Sequence, residues 1–112
     1  IRGGQNIYPI EIEEMMLGHE KVRETAIVGI PDETMGQRVC VCIVPTSSKE
    51  IVTLEEVVDF LKKRGVSSYK LPEMLEVIEE MPMESGGQKV DRKALRDYVV
   101  QMLKESFERD RF

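Results

Sequence analysis

Two glycine-containing segments carry the residue types most able to do chemistry. Arg2-Gly3-Gly4-Gln5-Asn6 combines a positive side chain with backbone that a ligand can approach closely. Ser85-Gly86-Gly87-Gln88-Lys89 places a lysine at the end of a loop, directly before a helix cap, where its ammonium could meet a phosphate oxygen as a mobile point charge. Neither has the four residues between glycines of a phosphate-binding loop, and each taken alone also fits an ordinary turn. The other reactive residues converge less. One His and two Cys do not supply a metal's three or four ligands, and His19 has no nucleophile-elbow context around it for a Ser/His/Asp triad. His19, just past Gly18, reads as a helix-end residue near the negative pole of its helix. Cys40 and Cys42 lie two apart in an apolar run, so they share one face of a strand. Backbone geometry disfavours bridging them there, and they read as buried thiols of a reducing compartment. The seven Met residues fall mostly on helix stripes or strand ends and read as core.

The elements that must position these residues follow from caps, turns and periodicity. Residues 1–8 read as a short strand or hairpin-like loop. Pro9 suits the first turn of a helix, with Ile12, Met15 and Met16 as its stripe and Gly18 as its stop. Thr25 to Ile30 reads as a buried strand ending in the turn signal Pro31-Asp32, and Arg38 to Val44 as a second strand ending at Pro45. The short loop between them predicts an antiparallel pair. Thr53 caps a second helix, with Glu56 completing a capping box; Leu54, Val57, Val58 and Leu61 are its buried stripe and Gly65 its end. Leu75 to Ile78 can form a third strand. Asp91 caps the last helix, in which Leu95, Tyr98, Val99, Met102 and Leu103 recur at helical spacing, and the charged tail after Ser106 is expected to fray. The predicted fold is α+β: a small three-stranded, mostly antiparallel sheet flanked by helices.

With 112 residues the chain is one domain with one modest core. Its net charge of −5 argues against nucleic acid or an acidic membrane surface as main partner, and no apolar run approaches the length of a membrane span. The first residues, Ile1-Arg2-Gly3-Gly4, have no initiator Met and start in mid-motif, which reads as a piece cut from something larger.

Taken together and in order, several stretches resemble the small C-terminal domain of the adenylate-forming superfamily of acyl-CoA synthetases, peptide-synthetase adenylation domains and beetle luciferases. They are Arg2 to Pro9 running into Glu11-Ile12-Glu13-Glu14; His19 with Val22; Ala26 to Asp32 with Gly36; Tyr69-Lys70 with Pro72; and Lys89-Val90-Asp91-Arg92 with Leu95-Arg96. They span residues 1–96 in the family's order and nearly its spacing.

The resemblance implies a lid domain, residues 1–112, of a larger AMP-forming ligase whose N-terminal domain, absent from this chain, holds the ATP and acyl pockets. A carboxylic acid, ATP and magnesium would give an acyl-adenylate and pyrophosphate, and CoA would then take the acyl group as a thioester. The lid would rotate between the two half-reactions. Lys89 matches the lysine that enters the site for adenylation, where one fixed cation facing developing charge contributes ~2.7–4 kcal/mol by analogy with oxyanion donors. Arg2, Gly3 and Gly4 match the segment that faces the site for thioester formation, where side chains would obstruct the pantetheine channel. The isolated domain is expected to be inactive, and the parent cytoplasmic.

Two departures bear on this. Gln88 stands where the family usually has Gly before the lysine, and Pro82 to Lys89 is seven residues instead of six, which reads as a one-residue insertion with the glycines displaced to 86 and 87. Gln37 replaces a common Glu after Gly36, a neutral change. The segment Asn6-Ile7-Tyr8-Pro9 is closer to acyl- or aryl-CoA synthetases than to peptide-synthetase domains. Two alternatives stand beside that branch: an adenylation domain loading a carrier-protein phosphopantetheine, and a non-catalytic interaction module that keeps the fold.

Overall fold

The computed structural model describes residues 9–110 apart from positions 33 and 35. The segment expected over 1–8, with Arg2, Gly3 and Gly4, lies outside the described residues.

Helix α1, Pro9–Met16, starts at the proline and buries Ile12 and Met16. Strands β1, Val22–Asp32, and β2, Gly36–Pro45, pair antiparallel from Val22↔Pro45 to Asp32↔Gly36. Both run longer than predicted, because the turn residues Pro31 and Asp32 still lie in the ladder. Helix α2, Leu54–Lys63, is capped as expected: the Thr53 hydroxyl accepts from the Glu56 amide at 3.2 Å. The connector at 67–72 contains a 3₁₀ turn, Ser68–Lys70, and leads into β3, Met74–Val77. Helix α3, Arg92–Asp110, is capped by Asp91, whose Oδ1 accepts from the Ala94 amide at 3.0 Å.

Among the described residues the fold is α+β with three strands in the order β1-β2-β3. Its sheet is mixed: the long β1–β2 ladder is antiparallel, while β3 lies parallel to β2 over Cys40–Ile43. The parallel pair has a topological cause. Helix α2 intervenes between β2 and β3, and a strand–helix–strand crossover brings the chain back in the same direction.

Helices cover both faces, so β2 is buried from Val39 to Val44 without interruption. On one face Ile12, Met16, Val57 and Leu61 pack on Ile27, Val39, Val41 and Ile43. On the other, Leu95 and Val99 pack on Ala26, Val28, Cys40, Cys42 and Val44. The period-2 alternation of β2 thus sorts its residues cleanly between two half-cores. Cys40 and Cys42 are free, buried thiols on one face, as their spacing requires.

Helix α3 departs from expectation in two ways. Its stripe is narrower: Leu95 and Val99 are fully buried, but Tyr98 and Met102 are exposed at its margin. It also continues past Ser106 to Asp110 instead of fraying there. Val100 and Leu103 pack on the second half-core, while the exposed Phe107 lines an open groove with them, Ile30 and Pro31. Among the described residues, no helix is long and apolar enough to cross a membrane.

Candidate functional site

The loop that carries Lys89 is a closed hairpin. Met83 and Val90 form an antiparallel bridge, and the Asp91 amide donates to the Pro82 carbonyl at 2.8 Å. Inside that bridge the Glu84 amide donates to the Lys89 carbonyl at 2.8 Å, and the Gly87 amide to the Glu84 carbonyl at 2.9 Å. The tight reversal needs two residues at positive φ, Gly86 at 100° and Gly87 at 71°. Glycine adopts both without a Cβ penalty. Gln88 therefore sits within a turn whose two ends are paired.

Every residue from Met83 to Lys89 is exposed. Glu84, Ser85, Gly86, Gln88 and Lys89 line a shallow depression. Among the described residues, no carboxylate lies within ion-pairing distance of the Lys89 ammonium. Its charge is available to an anion that approaches from outside. Immediately beyond, the first two turns of α3 add Arg92, Lys93 and Arg96 beside Ile27, Val28 and Gly29 of β1. A domain that is acidic overall thus carries a local run of cations at this corner.

Arg92 is engaged internally. Its Nη1 and Nη2 meet the two oxygens of Glu13 at 2.8 Å each, and Nη1 also donates to the Ile27 carbonyl at 2.9 Å. Glu13 Oε2 in turn accepts from the Ile27 amide at 2.7 Å. Among the described residues β1 is an edge strand, so Ile27 has an outward amide and carbonyl with no neighbouring strand to pair them. Glu13 and Arg92 supply that acceptor and donor, and the fork of the guanidinium fits the carboxylate bidentately. The hydrogen-bonded Glu13 carboxylate holds the Arg92 guanidinium above its ordinary range, outweighing the burial that would lower it. Sequence reading placed Arg92 in a motif without seeing this role, because its partner lies 79 positions away. No local spacing encodes such a pair.

The remaining sequence candidates take structural places. His19 Nδ1 accepts from the Lys21 amide at 3.1 Å, and its ring lies 4.8 Å from that of Phe60. It sits at the end of α1, its own amide donating to the Met16 carbonyl, as a helix-end residue should. Lys21 bridges to Glu56 at 3.1 Å and to the Ile51 carbonyl at 2.9 Å, tying the start of β1 to α2. Lys70 lies 3.8 Å from Glu11 of α1. Among the described residues, no group of three or more His, Cys, Asp or Glu could hold a metal ion. Of the four candidate site residues, only Lys89 lies within the described residues; Arg2, Gly3 and Gly4 do not.

Comparison with known proteins identifies the family of the chain. The model of the AMP-binding enzyme C-terminal domain matches residues 11–89. A mitochondrial medium-chain acyl-CoA ligase of Mus musculus is 40% identical over 93% of this chain and 16% of its own length. The 2,3-dihydroxybenzoate-AMP ligase of Bacillus subtilis is 36% identical over 96% of this chain and 20% of its own. A solved fatty acyl CoA synthetase of Mycobacterium tuberculosis superposes with a TM-score of 0.77 at 33% identity, over 88% of this chain and 19% of that one. The chain therefore spans only about a fifth or less of the proteins it matches. On the residues matched and on the fold, the chain belongs to the AMP-binding enzyme C-terminal domain family.

Proposed function

We propose that this chain is the mobile lid of an AMP-forming acyl-CoA synthetase, and that Lys89 is the cation it brings to adenylation. The observation that supports this most is the Lys89 hairpin: both ends are pinned by backbone pairing, while the ammonium is exposed and unpaired among the described residues. In this reading a substrate carboxylate attacks the α-phosphorus of ATP. An acyl–phosphate bond forms, the bond to pyrophosphate breaks, and negative charge gathers on the oxygens about phosphorus. A cation set against that charge stabilises the transition state more than the ground state.

The second half-reaction follows once the lid has turned. The CoA thiol displaces AMP from the acyl-adenylate, giving the thioester, AMP and a proton. Arg2, Gly3 and Gly4 would then face the site, with the glycines leaving room for the pantetheine arm. The ATP and acyl pockets belong to the N-terminal domain of the same polypeptide. Magnesium would enter with ATP in the N-terminal domain. The kinship with a medium-chain acyl-CoA ligase and a fatty acyl CoA synthetase supports CoA as acceptor, while the choice of acid belongs to the N-terminal domain.

The full-length parent tests the reading. A panel of carboxylic acids should drive ATP–pyrophosphate exchange, and CoA should then release AMP and yield the thioester. If the acyl group leaves only on a carrier protein, the acceptor assignment fails. If no acid supports exchange, the lid is an interaction module that has kept the fold without the chemistry.

A further inference from the structure

We propose that Arg92 and Glu13 form a positioning pair for Lys89, clamping the base of its hairpin to the edge of β1; this rests on the reading of Lys89 given above. Three elements meet at the clamp: Glu13 of α1, Ile27 of β1 and Arg92 of α3, joined by contacts of 2.7 to 2.9 Å. Arg92 is the first residue of α3 and follows Lys89 by three positions. Between them, Val90 holds the hairpin bridge and Asp91 both caps α3 and donates to Pro82. The path from the clamp to the lysine therefore runs through backbone that is hydrogen-bonded on either side of Val90, at Asp91 and at Lys89.

The three elements depend on the clamp unequally. Helix α1 keeps Ile12 and Met16 in the core without it, and α3 keeps Leu95 and Val99. The hairpin is exposed from Met83 to Lys89, and only its base touches the core, through Met81 and the partly buried Val90. Its placement relative to the sheet is set where α3 begins, and there Arg92 bonds directly to β1. Losing the clamp should leave the fold standing and let the hairpin wander. A displacement of about 1 Å in a reacting group costs up to roughly a hundredfold in rate. Lysine at position 92 would keep the charge without the fork that reaches both carboxylate oxygens and the Ile27 carbonyl.

The test uses the full-length enzyme with Arg92→Ala, Arg92→Lys and Glu13→Gln, each checked for native circular dichroism and cooperative unfolding. For Arg92→Ala, kcat of acid-dependent ATP–pyrophosphate exchange should fall roughly ten- to a hundredfold. KM for ATP and the rate of thioester formation from supplied acyl-adenylate should change by less than about twofold. Arg92→Lys and Glu13→Gln should show the same split with smaller losses, which keeps the test open if the alanine variant folds poorly. In a Lys89→Ala background, measured under single-turnover conditions, Arg92→Ala should add less than about twofold, because a pair acting through Lys89 has nothing left to position. Equal losses in both half-reactions, or an undiminished loss in the Lys89→Ala background, would make the clamp merely structural and overturn the inference. If Lys89→Ala alone leaves exchange intact, the failure lies with the role of Lys89, on which the inference depends.

Discussion

The amide of Glu84 donates to the carbonyl of Lys89 at 2.8 Å, so the residue that carries the candidate cation also closes its own loop. This gives Gln88, directly before Lys89, a definite place. The hairpin holds Gln88 between two paired ends. The side chain of Lys89 is free to move, while the backbone that carries it is fixed.

The two glycines of the turn should prove necessary to that closure. A Cβ added at Gly87 would meet nothing within 4 Å, so alanine there is opposed by its φ of 71° and by no neighbouring atom. A left-handed residue other than glycine costs about 1 kcal/mol. Gly87→Ala should therefore speed hydrogen exchange at the Glu84 amide by about fivefold. Unchanged exchange would show that the Glu84–Lys89 bond does not depend on this turn.

The buried thiols should be inert in the native domain. Cys40 and Cys42 are both fully buried. The Cys42 thiol is pushed far above the ordinary range, first by its hydrogen bond with Cys40, then by burial, and further by the nearby charges of Cys40 and Glu76. An aromatic disulfide reagent should label both residues at once in denaturant. In native protein it should label them only at the unfolding rate, without the acceleration between pH 7 and pH 9 that an exposed thiol shows. Prompt native labelling of either would contradict the two half-cores described above.

Much of this architecture was legible in the sequence. The proline start of α1, the Thr53 cap, the Asp91 cap and the paired cysteines are local signals, each complete within a few residues. The parallel pairing of β3 was less so, although a clue was present: a capped helix between two strands favours a crossover over a hairpin. The exposure of Tyr98 and Met102 depends on how far the three-stranded sheet extends beneath α3, which periodicity alone does not encode. Lys89 could be named from its motif. Glu13 could not, because its partner is remote and its bond to an edge strand exists only once the sheet has formed.

Glu76 should give the domain a measurable pH dependence. It lies on β3 opposite Cys42, and burial raises its carboxyl above the ordinary range. A group whose folded pKa is raised favours folding when protonated. Its stabilising contribution is present below the ordinary carboxylate pKa and is lost as pH rises through the folded value. Glu76→Gln should therefore raise the urea midpoint near neutral pH and flatten its decline from acid pH upward. A variant less stable than the parent at pH 7 would show that the ionised carboxylate is favourably held.

The most direct measurement of the central claim is Lys89→Ala in the full-length parent, with the two half-reactions assayed separately. Acid-dependent ATP–pyrophosphate exchange should fall by at least about a hundredfold, the size expected when one donor to developing charge is removed. Thioester formation from supplied acyl-adenylate should stay within about threefold of the parent, because Lys89 would have left the site by then. Equal loss in both half-reactions, or exchange that survives without the lysine, would contradict the account.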